Sequence, residues 1–477
     1  MVLLNLLVKP GWVVVENLVQ DQLGHATFGL ITAMSSLAII VAVVADLGLT
    51  HLSVQRLAAE PRFMDEHFPT ILPLRAWLNA AALVATLALG VMLGYRGTAL
   101  VVLAAVALSL LLAQYGQFLR GTLQASQRFN TDAVLSVLEK ALLLGLVLAC
   151  LPIGLTLSRY VGARLVAAAF TAALLYGLMV RFFGRVRYRF RWAQARHLLR
   201  ESLPFAFIVV LYGINERVDM VMLERLASPK EAGYYAGAYR WADAVMMYVW
   251  TVLPLFFAKF AASSDDYGVQ RNLLWFGQRV VTVPLLLAVA FVLFRGELLF
   301  WQFKSSTPAE VARMAWCARI LFINVLVHAF FAIYATLLNS TGFVRQVSRL
   351  VMLSVMLNVG LNLFTLGAFG AQAAAWNTLI CAAVVSAGYV GLVWRAARVA
   401  VPWRLLGRLM AAFSGLCGAW YGLRTYANFN WLVETIATTL IFGGLLVALR
   451  IITRADLRLL RAGPVSPPAA DDSPSSK

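Results

Sequence analysis

Apolar segments of about 20 residues recur along the whole chain and are separated by short polar connections. A helix of about 20 residues spans about 30 Å, the thickness of the hydrocarbon core of a bilayer. Of the 477 residues, 61% are hydrophobic and 13% are charged, against roughly 25% charged in soluble domains. The pattern predicts an all-α polytopic membrane protein. It excludes a soluble enzyme and a secreted disulfide scaffold.

The hydropathy pattern predicts about fourteen transmembrane helices, arranged as two six-helix lobes with two extra helices at the C-terminal end. The predicted helices cover residues 2–20, 28–49, 72–93, 98–116, 134–151, 161–180, 203–224, 234–257, 280–300, 313–338, 350–367, 372–394, 405–423 and 431–449. The predicted segments are an N-terminal lobe at 1–181, a basic cytoplasmic linker at 182–202, a C-terminal lobe at 203–395, helices thirteen and fourteen at 396–450, and a cytoplasmic tail at 451–477, disordered from about residue 463.

The basic residues predict the orientation of the chain in the membrane. The net charge is +18, from 40 Lys and Arg against 22 Asp and Glu. With the N-terminus in the cytoplasm, the inside connections carry 25 Lys or Arg and the outside connections carry 7. The positive-inside rule therefore predicts that both termini are cytoplasmic. Basic residues at these positions meet anionic headgroups, so we expect membrane lipids as partners and no nucleic acid.

Two pairs of segments resemble each other across the predicted lobes. Residues 123–128 end the fourth helix with Leu-Gln-Ala-Ser-Gln-Arg, and residues 338–342 end the tenth with Leu-Asn-Ser-Thr-Gly. The turns at 23–29 and 229–235 correspond more loosely, and each leads into the next helix. Transporters are often built from repeated halves, and these echoes favour a six-plus-six architecture.

Charged residues inside the predicted helices are candidates for function, because a charge at mid-bilayer costs at least ~2.5 kcal/mol. The cations that lie outside the connections are Lys9, Arg75, Lys140, Arg164, Arg217, Arg240, Arg313 and Arg319. The main deep acids are Glu16, Asp46, Glu139, Glu216, Asp219 and Asp243. The excess of buried cations over anions indicates a cavity that receives a negatively charged ligand.

The seventh helix carries the most informative group of charges. Glu216 and Asp219 are three residues apart and share a helix face, whereas Arg217 points about 100° away from Glu216. Arg240 and Asp243 form a similar same-face pair in the eighth helix. These acids either neutralise Arg240 and hold the two helices together, or bind Na⁺ or a proton. Arg217 has fewer obvious partners and is the first candidate for a ligand contact.

Motifs for catalysis, metal binding and disulfide formation are missing from the sequence. The four cysteines lie within or beside apolar segments and no pair has metal-ligand spacing, so we predict neither a metal site nor disulfides. The chain contains no P-loop, and we predict no cofactor and no enzymatic activity. Asp265 and Asp266 form an acidic pair in a connection, which is weak support for a membrane glycosyltransferase or polymerase.

Several segments together resemble the bacterial oligosaccharide flippases of the Wzx type, which belong to the multidrug/oligosaccharidyl-lipid/polysaccharide exporter superfamily (the MOP superfamily). The segments are residues 5–12, 19–24, 28–30 and 46–49 in the first half, and 216–219, 232–240 and 338–342 in the second. The resemblance implies two six-helix lobes, as in the MATE transporters of this superfamily, around a central cationic cavity. It also implies the bacterial inner membrane as the location. The related lipid II flippases carry several cavity arginines on helices one, two and eight. Here the first helix offers only Lys9 and the second none, while Arg240 on the eighth fits that scheme.

The function that the resemblance implies is translocation of an undecaprenyl-pyrophosphate-linked oligosaccharide by alternating access, for polysaccharide or lipopolysaccharide biosynthesis. Since arginine binds phosphate through two parallel hydrogen bonds, we expect cationic side chains to bind the pyrophosphate and amides to bind sugar hydroxyls. The pyrophosphate candidates are Arg217, Arg240, Lys9 and Lys140, and the sugar candidates are Asn215, Gln114 and Asn362. Candidates for Na⁺ or H⁺ coupling are Glu216, Asp219 and Asp243. Association with a polysaccharide polymerase fits the same role. The alternatives are a MATE-like drug or cation antiporter and a membrane glycosyltransferase or polymerase.

Overall fold

The structure, a computed structural model, describes residues 2–60, 62–184, 188–263, 266–397, 401–427 and 429–451. All regular secondary structure within these ranges is helical. The helices are α1 (Val2–Leu23), α2 (His25–Asp46), α3 (Leu49–Ala59), α4 (Phe63–Met92), α5 (Thr98–Ala125), α6 (Phe129–Cys150), α7 (Leu157–Phe183), α8 (Trp192–Leu226), α9 (Pro229–Ala262), α10 (Tyr267–Arg295), α11 (Pro308–Ser340), α12 (Val344–Ala397), α13 (Trp403–Gly422) and α14 (Trp431–Ala448).

Each of the fourteen predicted spans lies on one of these helices, so the all-α polytopic prediction is confirmed. Within the described ranges, ten helices are long and apolar enough to cross a membrane. The structure adds the short helix α3, which the hydropathy pattern did not predict. Helix α8 begins at Trp192, ten residues before the end of the predicted linker at 182–202. The part of the tail predicted to be disordered, from about residue 463, lies outside the described residues.

Helix α12 contains two of the predicted spans, separated by a break at Gly370. This glycine has φ 57° and ψ −135°, a conformation that a residue with a Cβ rarely adopts. The next amide, that of Ala371, donates a hydrogen bond to Glu231 Oε2 at 2.9 Å. Arg313 pairs with the same carboxylate at 2.8 Å. Charged residues of α9 and α11 therefore hold the break in place.

The helices pack as two sets, α1–α7 and α8–α12. Helix α5 packs on α4, α6 and α7, and α2 packs on α4 and α5, whereas α11 lies at the centre of the second set, against α9, α10 and α12. Helix α2 lies between the sets and packs on α9 at one end and α8 at the other. At the α8 end, a Cβ on Gly48 would lie 2.6 Å from Ser202 O, and Arg56 pairs with Glu201 at 3.3 Å. Movement of one set against the other must therefore rearrange the contacts of α2.

The two extra helices, α13 and α14, are fixed to the second set through α10. The Arg295 guanidinium donates to both oxygens of Glu434, at 2.9 and 2.6 Å, and the Glu434 side chain is fully buried. Trp420 stacks on Phe294 with 6.0 Å between ring centroids. A buried bidentate ion pair is geometrically specific, so α13 and α14 move with α10.

Candidate functional site

The two sets meet most closely where α2 crosses α9. A Cβ on Gly29 would lie 1.9 Å from Pro229 O, and a Cβ on Gly233 would lie 2.1 Å from His25 O. His25 and Pro229 are the first residues of α2 and α9, and the two glycines are the fifth residues. Gly29 of α2 thus packs against Pro229 of α9, and Gly233 of α9 packs against His25 of α2. The loose echo between residues 23–29 and 229–235 corresponds to this pseudo-symmetric contact.

Hydrogen bonds around Gln20 close the same end of the bundle, where the α1–α2 and α8–α9 turns meet. Gln20 Nε2 donates to Gly233 O at 2.8 Å and to His25 Nδ1 at 2.9 Å. Because Nδ1 accepts, Nε2 carries the proton of the neutral imidazole and donates to Ser306 Oγ at 2.9 Å. We call this region the closed end, defined by Gln20, His25, Gly233 and Ser306. It ties α1 and α2 to α9 and to the residues before α11.

Further polar contacts support the closed end. The Ser305 amide donates to Asp21 Oδ1 at 3.0 Å, which joins the first set to the second. Lys230 pairs with Glu310 at 2.8 Å, and Glu310 also takes part in the capping box that begins α11. These residues surround a cavity of about 390 Å³ that opens at the surface. The closed end is therefore polar at its rim.

Arg240 lies between the sets, just inside the closed end. Its Nη2 donates to Gln20 Oε1, its Nη1 lies 3.7 Å from Glu16 Oε2, and its guanidinium covers the Phe28 ring at 4.5 Å. The side chain is 12% exposed. Sequence reasoning expected acids of the seventh and eighth helices as partners for Arg240, but the described partners Glu16 and Gln20 come from α1. The same amide thus binds Arg240 and holds the closed end.

Arg217 faces the first set of helices. It lies four residues after Gly213, where a Cβ would be 3.0 Å from Val43 of α2, so the two positions share a helix face. Its side chain is half-buried, and its Nε is buried without a hydrogen-bond partner in the described chain. A buried guanidinium nitrogen without a partner is costly, and Arg217 has one on the face that points toward the first set.

A second cavity, of about 490 Å³, lies inside the second set, between α8, α9, α11 and α12. Its polar lining residues include Tyr212, Asn215, Glu216, Asp219, Asn324, His328, Asn339, Asn358, Thr378 and Tyr389. Trp250 forms part of the wall, and no Lys or Arg is among the described lining residues. We call this space the C-set cavity. Its charged groups are carboxylates alone, so it does not suit a phosphate.

Asp219 is the centre of a buried hydrogen-bond network beside the C-set cavity. Its Oδ1 accepts from Asn362 Nδ2 at 2.7 Å, and its Oδ2 accepts from Thr378 at 3.2 Å and Tyr235 at 3.5 Å. Asn362 is fully buried, and its Oδ1 accepts from Asn377 at 2.8 Å. The structure therefore places Asn362, expected to bind sugar, in the network that satisfies Asp219.

The remaining candidates from the sequence are spread over the molecule. Asn215 and Glu216 line the C-set cavity, and Asp243 lies one turn after Arg240 on α9. Gln114, on α5, has a buried Oε1 without a partner among the described residues. Lys140 is half-buried on α6. Lys9 is on α1, and its side chain lies outside what the structure describes.

Sequence reasoning missed the residues of the closed end. Gln20 lies in a segment that carries the resemblance, and His25 lies in the loosely repeated turn at 23–29, so each had a weak signal in the sequence. Ser306 lies in a polar connection with no motif, so no signal pointed to it. Glu16 was visible as a deep acid, but its partner is 224 residues away in the sequence.

Comparison with known proteins gives one family and a group of similar folds. The family model described as "Polysaccharide biosynthesis protein" matches residues 2–256. The fold is similar to that of the lipid II flippase MurJ in an inward closed conformation, with a TM-score of 0.75 at 11% identity, over 94% of this chain and 99% of that chain. A multidrug resistance MATE family transporter of the MOP superfamily, in an inward-facing conformation, gives a TM-score of 0.67 at 14% identity, over 81% and 94%.

A third similar structure is a MOP superfamily transporter from Pyrococcus furiosus Vc1, whose binding pocket is described as having reverse polarity. It gives a TM-score of 0.56 at 14% identity, over 82% of this chain and 95% of that chain. No curated protein matches the chain. At these identities the solved structures establish the fold and leave the substrate to the chemistry of the site.

Proposed function

Since the chain belongs to the polysaccharide biosynthesis protein family, we propose that it is a flippase for an undecaprenyl-pyrophosphate-linked oligosaccharide. The chain is a multi-pass membrane protein with a flippase-like fold. The observation that carries the proposal is Arg217, a guanidinium between the helix sets with a buried nitrogen that lacks a partner. Arginine presents two parallel donors to a phosphate oxygen pair, and a pyrophosphate supplies the missing acceptors.

Arg240 is the second ligand in this proposal, and it has to exchange partners. In the present state Gln20 and Glu16 hold its guanidinium. A pyrophosphate carries more negative charge than Glu16 and offers more acceptor oxygens, so it competes for Arg240. Lys9 and Lys140 assist at longer range, and Gln114 and Asn215 are sugar contacts.

Substrate binding at Arg240 is linked to the closed end through one amide. Gln20 Oε1 accepts from Arg240, while Gln20 Nε2 holds Gly233 and His25. When pyrophosphate takes over the Arg240 guanidinium, Gln20 loses the partner that fixes its orientation. The bonds to α2 and α9 then weaken, and the two helices separate at the crossing. This sequence gives alternating access a physical basis, because the ligand favours the open state by differential contacts.

The orientation sets the direction of transport. With both termini in the cytoplasm of a bacterium, the closed end faces away from the cytoplasm and the chain lies in the inner membrane. Moving one negative charge outward then gains roughly 2.3 kcal/mol per 100 mV of inside-negative potential. The potential drives the loaded step, and association with a polysaccharide polymerase would remove the product outside.

Asp219 is our candidate for ion coupling, with Glu216 and Asp243 nearby on α8 and α9. Its carboxylate supplies hard oxygen ligands of the kind that Na⁺ uses or takes up a proton, and the Asn362 amide nitrogen and the Thr378 hydroxyl, which now donate to it, would have to turn away from an ion. Coupling would add to the membrane potential as a driving force.

A MATE-like drug or cation antiporter is the second candidate function, and the lining of the C-set cavity favours it. Glu216 and Asp219 line that cavity without a Lys or Arg among the described residues. An extruder would confer resistance to cationic drugs in a Na⁺- or pH-dependent way. The glycosyltransferase alternative is weaker, because Asp266 caps α10 by accepting from the Gly268 and Val269 amides at 2.8 and 3.0 Å. Its partner in the pair, Asp265, lies outside the described residues.

Complementation of a flippase-deficient strain tests the proposed function. We expect Arg217→Ala and Arg240→Ala to lose complementation at normal expression. The matched control is Arg345→Ala, which removes an exposed arginine at the start of α12 and should complement fully. Full complementation by both cavity variants would refute the pyrophosphate assignment.

A further inference from the structure

The C-set cavity contains hydrogen-bond acceptors that lack donors. Glu216 is exposed and lines the cavity, and no described residue donates a hydrogen bond to its carboxylate. Asn324 lines the same space, and its Oδ1 is buried without a partner in the described chain. The buried Asn324 oxygen needs an O–H or N–H donor from water or from a ligand, and the Glu216 carboxylate is open to one as well.

The walls of the cavity have the composition of a site for a polar, ring-shaped ligand. Tyr212, Trp250 and Tyr389 contribute aromatic surfaces, and Asn215 and Asn339 contribute amides. An organic cation needs one carboxylate in apolar surroundings and leaves most of these amides and hydroxyls unpaired. A sugar ring presents apolar faces to aromatic rings and hydroxyls around its edge, so it uses both kinds of group.

The cavity lies beside the proposed pyrophosphate receptor. Glu216 and Arg217 are consecutive on α8, and their side chains point about 100° apart, one into the cavity and one toward α2. In the proposed substrate the first sugar is bonded directly to the phosphate. A site for that sugar must therefore lie next to the residues that bind the pyrophosphate. The C-set cavity meets this condition, because Glu216 lines it and Arg217 is the next residue.

We propose that the C-set cavity binds the first sugars of the lipid-linked glycan, with Glu216 and Asn324 accepting hydrogen bonds from sugar hydroxyls. The inference rests on the proposed flippase function and deepens it. A volume of about 490 Å³ is in the range of about 300–1,000 Å³ that small-molecule sites occupy. The cavity thus has room for a few sugars and recognises the reducing end of the glycan. Longer chains extend beyond it.

Binding in lipid nanodiscs tests this assignment with three probes. Undecaprenyl diphosphate reports the phosphate site alone, and undecaprenyl diphosphate bearing one N-acetylglucosamine or one galactose reports the sugar site as well. Wild type should bind the better sugar-bearing probe at least about tenfold more tightly than undecaprenyl diphosphate, the effect of one or two hydrogen bonds to acceptors of the cavity. Ala382→Phe fills the cavity and should abolish that preference while leaving undecaprenyl diphosphate binding within about twofold.

Two further variants make the result specific. Ala383→Phe places the same ring on the neighbouring, exposed residue outside the cavity lining and should keep the preference. Glu216→Gln keeps the size of the side chain but weakens its acceptor, so it should reduce the preference for sugar-bearing lipid. This variant tests the site even if Ala382→Phe does not fold.

Four outcomes would overturn the inference. Equal binding of all probes by wild type, or equal loss in the two phenylalanine variants, would remove the sugar site. Tetraphenylphosphonium binding that only Ala382→Phe abolishes, without any preference for sugar-bearing lipid, would assign the cavity to organic cations. Wild type that binds none of the three lipids would refute the proposed function, and this inference with it.

Discussion

The crossing of α2 and α9 can be opened by adding a single methyl group. Ordinary van der Waals contact begins at 3.4 Å, whereas a Cβ on Gly29 would lie 1.9 Å from Pro229 O and one on Gly233 would lie 2.1 Å from His25 O. Backbone atoms form both contacts, so the helices themselves must separate by about 1.5 Å in Gly29→Ala and about 1.3 Å in Gly233→Ala.

The expected cost follows from overpacking. Insertion of a methyl group into a close contact costs about 1–3 kcal/mol, which shifts a two-state equilibrium by a factor of about 5 to 150. In the proposed open state the two glycines are apart, so the cost falls on the closed state alone. Both variants should therefore populate the open state more than wild type does.

Accessibility of one buried cysteine measures this shift. Ala236 lies one turn after Gly233 on α9 and is 1% exposed. In a cysteine-free background, the rate at which a water-soluble maleimide labels Ala236→Cys in detergent should rise about fivefold or more with Gly29→Ala or Gly233→Ala. Gly162→Ala is the control, because its Cβ would meet nothing within 4 Å. Unchanged labelling in both Gly29→Ala and Gly233→Ala, with normal unfolding temperatures, would show that the glycine contact does not determine closure.

Three further predictions concern the ion pair to α14, the Asp219 network and Arg217. Glu434→Gln leaves Arg295 partly buried and unpaired, so we expect a loss of about 3 kcal/mol in the free energy of unfolding, seen as a lower unfolding temperature, and recovery when both residues become Leu. Asp219→Asn removes the charge that would bind Na⁺ or a proton, so any dependence of transport on Na⁺ or pH should disappear while the fold remains. Arg217→Lys keeps the charge but loses the paired donors, so flipping in proteoliposomes should fall about tenfold, and Arg217→Ala should fall further. Equal rates for the two Arg217 variants would exclude bidentate binding.

Hydropathy was sufficient to predict the spanning helices, because each span must bury its own backbone hydrogen bonds in lipid and so has a minimum apolar length. The same minimum length divides α12 into two predicted spans, 350–367 and 372–394, and the break at Gly370 lies between them. Hydropathy could not predict that α8 begins at Trp192. Residues 192–202 are helical but contain many polar side chains, so they do not look like part of a span. It also missed α3, which is too short to span a bilayer.

The direction of Arg217 was partly predictable, because helical periodicity separates it from Glu216. The environment of Arg240 was not, since its partners Gln20 and Glu16 are more than 200 residues away in another set of helices. Asn362 looked like an isolated amide in an apolar helix, and only packing shows that it satisfies Asp219. Long-range pairing of this kind leaves no local pattern in one sequence.

Flipping in proteoliposomes that contain only this protein tests the central claim most directly. A fluorescent undecaprenyl-pyrophosphate-linked sugar is placed in both leaflets, and an external reagent destroys the fluorophores that it can reach. Wild type should expose the inner pool within the assay, and Arg217→Ala with Arg240→Ala should slow that exposure to the rate of empty liposomes. Exposure by wild type no faster than by empty liposomes, or equal exposure by the double variant, would contradict the account.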